Sequence, residues 1–385
     1  MRKFFLVLLF AAPFLFAQNP SFPRPGTEIA ARRLERIRHG VNLSHWFAQL
    51  GSETPYDARH FGTYNTSKDI ELIARTGFDH VRLTFNPEPL MLPNGELEPA
   101  MLQALDAAVD TVLANGLNVI LDAHPESPFK QRLSVDFASR KAFVIFWQKF
   151  ALHELRRDPE RVFFELLNEP EFESSDEWSQ YQNQIVSGVR AVDRQHTLIL
   201  GGAKWSGMWE LLHITPSEDG NVIYNFHYYD PHTFTHQGAT WSMKWLIPLR
   251  GLRYPAVQDQ KKLADAQPTL EGKLGVIHYG FDSWGFDRIS QEIGVAADWT
   301  RLNHVVLTCN EFGVYRRFTE PVDREKWLSD VRTALEKNGI GWTIWDYAGG
   351  FGVVVRENGK TNVDTGIVKA LALSPKKPGA VSAGN

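Results

Sequence analysis

Val162-Phe163-Phe164-Glu165-Leu166-Leu167-Asn168-Glu169-Pro170 and Val305-Val306-Leu307-Thr308-Cys309-Asn310-Glu311-Phe312-Gly313 decide how this chain reads. Each is a run of strand-forming residues that ends in an Asn-Glu pair and then breaks at once, at Pro170 or at Phe312-Gly313. A strand that carries a glutamate at its C-terminal tip, twice in one chain, points to chemistry done by two carboxylates, of which glycoside hydrolysis is the foremost example.

Outward from these two runs, short apolar segments alternate with amphipathic ones along the whole chain. Candidate strands are Gly40–Leu43, His80–Thr84, Asn118–Asp122, Val162–Leu167, Thr197–Leu200, Val222–His227, Val305–Asn310 and Gly341–Trp345. Most are apolar on both faces, as parallel strands covered by helices are. Helical patterns lie between them at Ser67–Thr76, Ala100–Asn115, Val135–Arg157, Asp176–Arg194, Ile289–Leu302 and Asp323–Asn338, with a last one near Thr365–Leu373. Gly77, Gly116 and Gly339 each follow a helical pattern, where glycine accepts the left-handed conformation that ends a helix. Eight strands alternating with about eight helices predict an α/β fold, a (β/α)8 TIM barrel. An open doubly wound sheet would carry a Gly-rich phosphate turn after its first strand, and this chain has none. The surplus over a minimal barrel falls between Tyr228 and Phe286, a long insertion after strand 6 that is expected to wall the active-site cleft.

The ends read differently. Arg2 and Lys3 precede the apolar run Phe4–Phe16, and Ala17 closes it, the pattern of a secretory signal peptide over residues 1–17. A single barrel domain is then expected over 18–373, with a flexible tail over 374–385 rich in Pro, Gly and Ala. These features predict a secreted or periplasmic protein that leaves the membrane after signal cleavage; a monomer is expected, although no feature of the sequence sets the oligomeric state. Cys309 is the only cysteine, so neither a disulfide framework nor a thiolate zinc site is available. Removing residues 1–17 leaves 39 basic against 45 acidic residues, which offers no basic surface for nucleic acid.

In a barrel, catalytic groups sit at the C-terminal ends of strands. Those ends are polar here: Asn42, His45 and Trp46; Arg82; Asp122 and His124; Asn168 and Glu169; Lys204 and Trp205; His227 and Tyr229; Glu311; Trp345 and Asp346. Asp122 either orients a rim residue or holds the third loop. Cys309, two residues before Glu311, is expected to point the same way as a small buried filler. Trp147, Trp178, Trp299 and Trp327 fall in helical patterns and are expected to be packing residues. His232 and His236 stand four apart, but Pro231 and the Thr-Phe-Thr run argue against the helix that metal-ligand spacing needs, and no metal or cofactor is expected.

With these residues in place, the chain resembles glycoside hydrolase family 5, cellulase-type retaining enzymes, over nearly all of residues 18–373. The resemblance is carried by Asn168-Glu169-Pro170, by the glutamate of Asn310-Glu311-Phe312-Gly313, and by Arg82, His124, His227, Tyr229 and Trp345 in order along the strands. It implies that Glu169 is the acid/base and Glu311 the nucleophile, with carboxyls ~5–5.5 Å apart. It further implies that Arg82 and Tyr229 serve Glu311, that Asn168 binds a sugar hydroxyl, and that His124 and His227 complete the polar network. Trp345 would stack on the sugar at the scissile bond, with Trp46 and Trp205 as platforms for its neighbours. The implied substrate is a polysaccharide, β-1,4-glucan first and β-mannan as the alternative; a non-catalytic polysaccharide-binding barrel would lack one of the two glutamates.

Overall fold

The computed structural model describes residues 24–51, 53–92, 96–257 and 260–375. The expected signal peptide, and all of the expected tail except Ser374 and Pro375, lie outside the described residues. Eight parallel strands close into one barrel: β1 (His39–Phe47), β2 (His80–Phe85), β3 (Asn118–Ala123), β4 (Val162–Glu165), β5 (Thr197–Gly201), β6 (Val222–Tyr228), β7 (Val306–Phe312) and β8 (Gly341–Ile344). β1 pairs with β8 to complete the ring. The eight strands coincide with the eight predicted ones to within a few residues. Gly77, Gly116 and Gly339 all take positive φ at helix ends, as their positions predict. After β8 a two-stranded hairpin, β9 (Val354–Glu357) and β10 (Lys360–Val363), precedes the last helix, Thr365–Ala370.

Strand alternation divides the interior into two zones. Near the N-terminal ends, Ile120, Phe163, Ile199 and Ile223 point inward and form a small apolar cluster with Ala30, Leu34 and Ile37. The helix Thr27–Leu34 thereby plugs the bottom of the barrel, held there by Arg33, which donates to Glu160 and to the Gln195 carbonyl. One layer higher the inward side chains are Asn42, Arg82, Glu165, Asn225 and Asn310, all buried. The larger apolar core lies outside the strands, between sheet and helices.

The helix tryptophans Trp147, Trp178, Trp299 and Trp327 are indeed buried packing residues. Three of them also brace the catalytic end of the barrel through their indole N–H groups. Trp147 donates to the Leu166 carbonyl at 3.0 Å, Trp178 to Gly201 at 2.8 Å and Trp327 to Asp230 at 3.1 Å. Each of these carbonyls lies at or just past a strand tip, so the helical layer fixes the backbone from which site residues project.

The long connection after β6 is not structureless. It contains one-turn and longer helices at His232–Thr235, Lys261–Asp265 and Leu270–Phe281. Pro231 opens the first of these instead of preventing it, because proline is accepted ahead of the first helical N–H groups. His232 and His236 therefore do share a helical face, and their rings stack at 3.8 Å.

Candidate active site

Arg82 is the hub of the polar layer. Its five N–H donors make five hydrogen bonds. Nε and Nη2 clasp Glu165 Oε2 and Oε1 at 2.8 Å each, and Nη2 also donates to Asn168 Oδ1 at 2.8 Å. Nη1 donates to Glu311 Oε1 at 2.7 Å and to Asn42 Oδ1 at 2.9 Å. Burial alone would lower the Arg82 pKa, but the charges of Asp122, Glu165 and Glu311 reverse that and raise it well above its ordinary value. The guanidinium is thus fully charged at the centre of the barrel.

Glu165 has no counterpart among the predicted site residues. Its two oxygens accept four hydrogen bonds: two from Arg82, one from Asn225 Nδ2 at 3.1 Å and one from Asn310 Nδ2 at 2.7 Å. Asn225 in turn accepts from the Asn310 backbone N–H at 2.9 Å. The signal for Glu165 was present in its strand. Alternation from the inward Phe163 places it inside, where an acid needs a cationic partner.

Glu311 receives Arg82 on Oε1 and the Tyr229 hydroxyl on Oε2, at 2.9 Å. Burial pushes its carboxyl up to about 6, against the pull of His227 and Arg82 and with a further push from Glu169. Burial and the neighbouring carboxylates likewise raise the Tyr229 phenol well above its usual range, so it stays a donor. His227 Nδ1 lies 3.1 Å from Glu169 Oε1 and 3.5 Å from Glu311 Oε2. Burial lowers its pKa to about 4, so the ring between the two acids is neutral at pH 7. An oxygen of Glu169, an oxygen of Glu311 and a ring nitrogen of His227 all fall within 4.8 Å of one another.

Glu169 projects from a backbone held at φ 48, a left-handed conformation unusual for a residue with a side chain. The following Pro170 carbonyl accepts from the Trp205 backbone N–H at 3.2 Å. Lys204, Trp205 and Ser206 are themselves left-handed in succession, a costly turn that leaves the Trp205 indole 57% exposed over the cleft. His124 Nδ1 lies 2.8 Å from Asp122, and its Nε2 lies 3.1 Å from the Asn168 amide. Asp122 also touches Arg82 at 3.0 Å, so it orients rim groups; burial raises its carboxyl to about 7. Trp345 lies parallel to His124 with ring centres 5.7 Å apart, and both line the cleft. Gly313 permits this arrangement, since a Cβ there would stand 2.4 Å from the Trp345 carbonyl oxygen.

The cleft has a volume of about 1320 Å³ and is lined by Glu169, Glu311, Asn168, His124, His227, Tyr229, Trp205 and Trp345, among others. Two of the predicted substrate-binding residues do not line it, the wholly buried Arg82 and, in the core, Trp46. Trp46 is only 4% exposed, donates its indole N–H to the Phe61 carbonyl at 2.8 Å and packs beside Phe47. The register of β1 breaks between Leu43 and Phe47, and His45 is left-handed at φ 59. That flip turns His45 into the cleft and Trp46 into the core. Cys309 is also placed otherwise. It faces outward into the apolar core, while Asn310 and Glu311 both reach the interior, because β7 is irregular against β8 between Cys309 and Phe312. Burial raises its thiol pKa, and it is inert filler as expected. The insertion contributes His232, His236, Trp241, Ser242 and Met243 to the cleft wall. Trp241 was not foreseen: 59% exposed and edge-on to Tyr315 at 4.7 Å, it sits where no periodicity marks a side chain.

A parallel barrel with two acids and a web of hydrogen-bond donors at its C-terminal rim defines a class, the (β/α)8 enzymes that do acid–base and nucleophilic chemistry. The sequence matches cellulase (glycosyl hydrolase family 5) over residues 43–350, and the chain belongs to that family. It is therefore a glycoside hydrolase. Endoglucanase C of Acetivibrio thermocellus is 29% identical over 321 residues, covering 81% of this chain and 91% of that protein. Among solved structures, Thermotoga maritima Cel5A in complex with cellobiose superposes with a TM-score of 0.73 at 22% identity, over 89% of this chain and 99% of the other. The clostridial cellulose synthase subunit Z of Clostridioides difficile gives 0.71 at 23% identity, over 87% and 99%. At these identities the two structures speak for the fold.

Proposed function

We propose that this protein is a retaining endo-β-1,4-glucanase, exported from the cell, in which Glu169 is the acid/base and Glu311 the nucleophile. The observation that carries the reading is the unequal setting of two close acids. Glu311 alone holds Arg82 and the Tyr229 hydroxyl, which favour its ionised form and aim it; Glu169 stands at the cleft with its side chain 28% exposed, open to a leaving group and to water. Oxygens of the two acids that approach within 4.8 Å suit the ~5–5.5 Å carboxyl separation of double displacement better than the about 6.5–9.5 Å of an inverting site. The endoglucanase relatives support glucan as the substrate. The cleft is also larger than a typical small-molecule pocket, as a polymer segment requires.

In the first step a Glu311 oxygen attacks the anomeric carbon, the bond to the leaving oxygen breaks, and the Glu169 proton passes to that oxygen. In the second, water gives a proton to Glu169 while its oxygen displaces Glu311. Asn168, fixed by Arg82 and His124, offers its amide to the sugar, and Trp345 supplies the apolar face beneath it. Hydrolysis of carboxymethyl cellulose, lichenan and galactomannan, followed by NMR of the first-formed anomer, tests the proposal. Retention on the glucans supports it. An inverted product, preference for galactomannan, or full activity in Glu311→Ala overturns the mechanism, the substrate or the nucleophile respectively.

A further inference from the structure

The insertion after β6 carries an apolar surface that the sugar chemistry does not use. On the helix Leu270–Phe281, Val276 and Tyr279 are buried against the barrel's outer core, as one face of an amphipathic helix should be. The opposite face is also apolar. Leu270, Leu274, Ile277 and Phe281 recur at intervals of four, three and four residues along ~17 Å of helix, and all are exposed, Phe281 by 83%. Trp245 lies across Gly275 of the same helix, and its neighbours Met243 and Ile247 are exposed too. Met243 and Trp241 line the cleft, so apolar surface runs from the cleft rim onto this helix. Three of the four, Leu270, Leu274 and Ile277, are aliphatic and have no flat ring to serve as a sugar platform. They suit a lipid interior.

The charge around the stripe points the same way. Residues 241–281 hold six basic residues (Lys244, Arg250, Arg253, Lys261, Lys262 and Lys273) against three acids, a balance of +3 in a chain whose total is −4. The remainder therefore carries −7. Arg253 is paired with Asp323 and Lys261 with Asp265, whereas Lys244, Lys262 and Lys273 form no ion pair among the described residues. A second copy of the chain would instead bring two basic patches together. Among the described residues no helix is long and apolar enough to cross a membrane. A peripheral face of this kind leaves no span-length mark in the sequence.

We infer that the helix Leu270–Phe281 and the adjoining segment Lys244–Ile247 dock this enzyme on an anionic phospholipid bilayer, with Leu270, Leu274, Ile277 and Phe281 entering the interface and the lysines meeting the headgroups. The helix is already folded against the barrel, so docking needs no folding transition. This inference stands apart from the choice of glycan. Flotation of the full chain with phosphatidylcholine vesicles, with and without about one-third phosphatidylglycerol, tests it. The expected result is binding to the anionic vesicles, weakened by salt, and about tenfold or greater loss in the Leu274→Glu/Phe281→Glu variant. The apolar run Phe4–Phe16 is common to both proteins, so their difference reports the helix. The variant should keep its unfolding midpoint and its activity on a soluble glucan, since both side chains are exposed. Absence of binding to anionic vesicles, or equal binding by the variant, overturns the inference. A wild-type dimer in sedimentation that the variant abolishes overturns it as well, and assigns the face to a second copy.

Discussion

At the scale of single residues, the site depends on one arginine with no spare donor. Lysine at position 82 would have three donors where five are used, and would leave oxygens of Glu165, Glu311, Asn42 or Asn168 buried without a partner. Arg82→Lys should therefore lose ~2–5 kcal/mol of stability along with most of its turnover. Urea unfolding and kcat together check this; an unchanged unfolding midpoint would count against the hub. The raised pKa of Glu311 sets a second expectation. On the proposed mechanism Glu311 must be ionised to attack, and a carboxyl pushed up to about 6 by burial becomes protonated as pH falls through that value, so kcat/KM should drop about tenfold per pH unit below it. His227, held near 4, is neutral throughout that range and does not cause the limb. Asp122, raised to about 7, is the competing source, and Asp122→Asn separates the two. The limb should persist near the same pH in that variant, because a carboxyl raised to about 7 is already mostly protonated where Glu311 titrates. A profile flat to pH 4.5 would refute the assignment.

At the scale of elements, the strands were legible because their apolar character does not depend on context, while their tips were less so. Two departures from alternation, at His45 and between Cys309 and Phe312, decide which side chains reach the cleft. Neither is encoded by a glycine or proline at the break, so Trp46 read as a platform and Cys309 as facing inward. Glu165 failed to stand out for the opposite reason. It obeys alternation, but its partners come from strands 60 to 145 residues away. The insertion hid its contribution in irregular backbone, where no period marks which side chains face the cleft. Trp241 should act there as a platform for sugar units away from the scissile bond. Trp241→Ala is expected to raise KM several-fold on a long glucan and much less on a short one, with unfolding unchanged. Equal effects on both lengths would remove it from substrate contact.

For the whole molecule, function and stability are separated along the barrel axis. The top of the interior holds charge and the bottom holds the apolar plug, so a change at one end should leave the other intact. Phe163→Ala opens a cavity among Ile120, Ile199, Ile223 and Leu34 and should cost ~3–5 kcal/mol in denaturant unfolding. Below its unfolding transition the variant should retain near-native kcat. A large loss of kcat in the folded state would show that the two ends are coupled.

The sequence by itself determined the barrel, the two glutamates and the family, because β-rich runs, helix-ending glycines and Asn-Glu pairs at strand tips are local patterns. Only the tertiary structure decided which groups meet. It set Arg82 between Glu165 and Glu311, exchanged Trp46 for His45 at the cleft, and brought Trp241 over the rim from the insertion. These outcomes rest on hydrogen bonds and packing between segments far apart in the chain. Such contacts exist only once the barrel has closed.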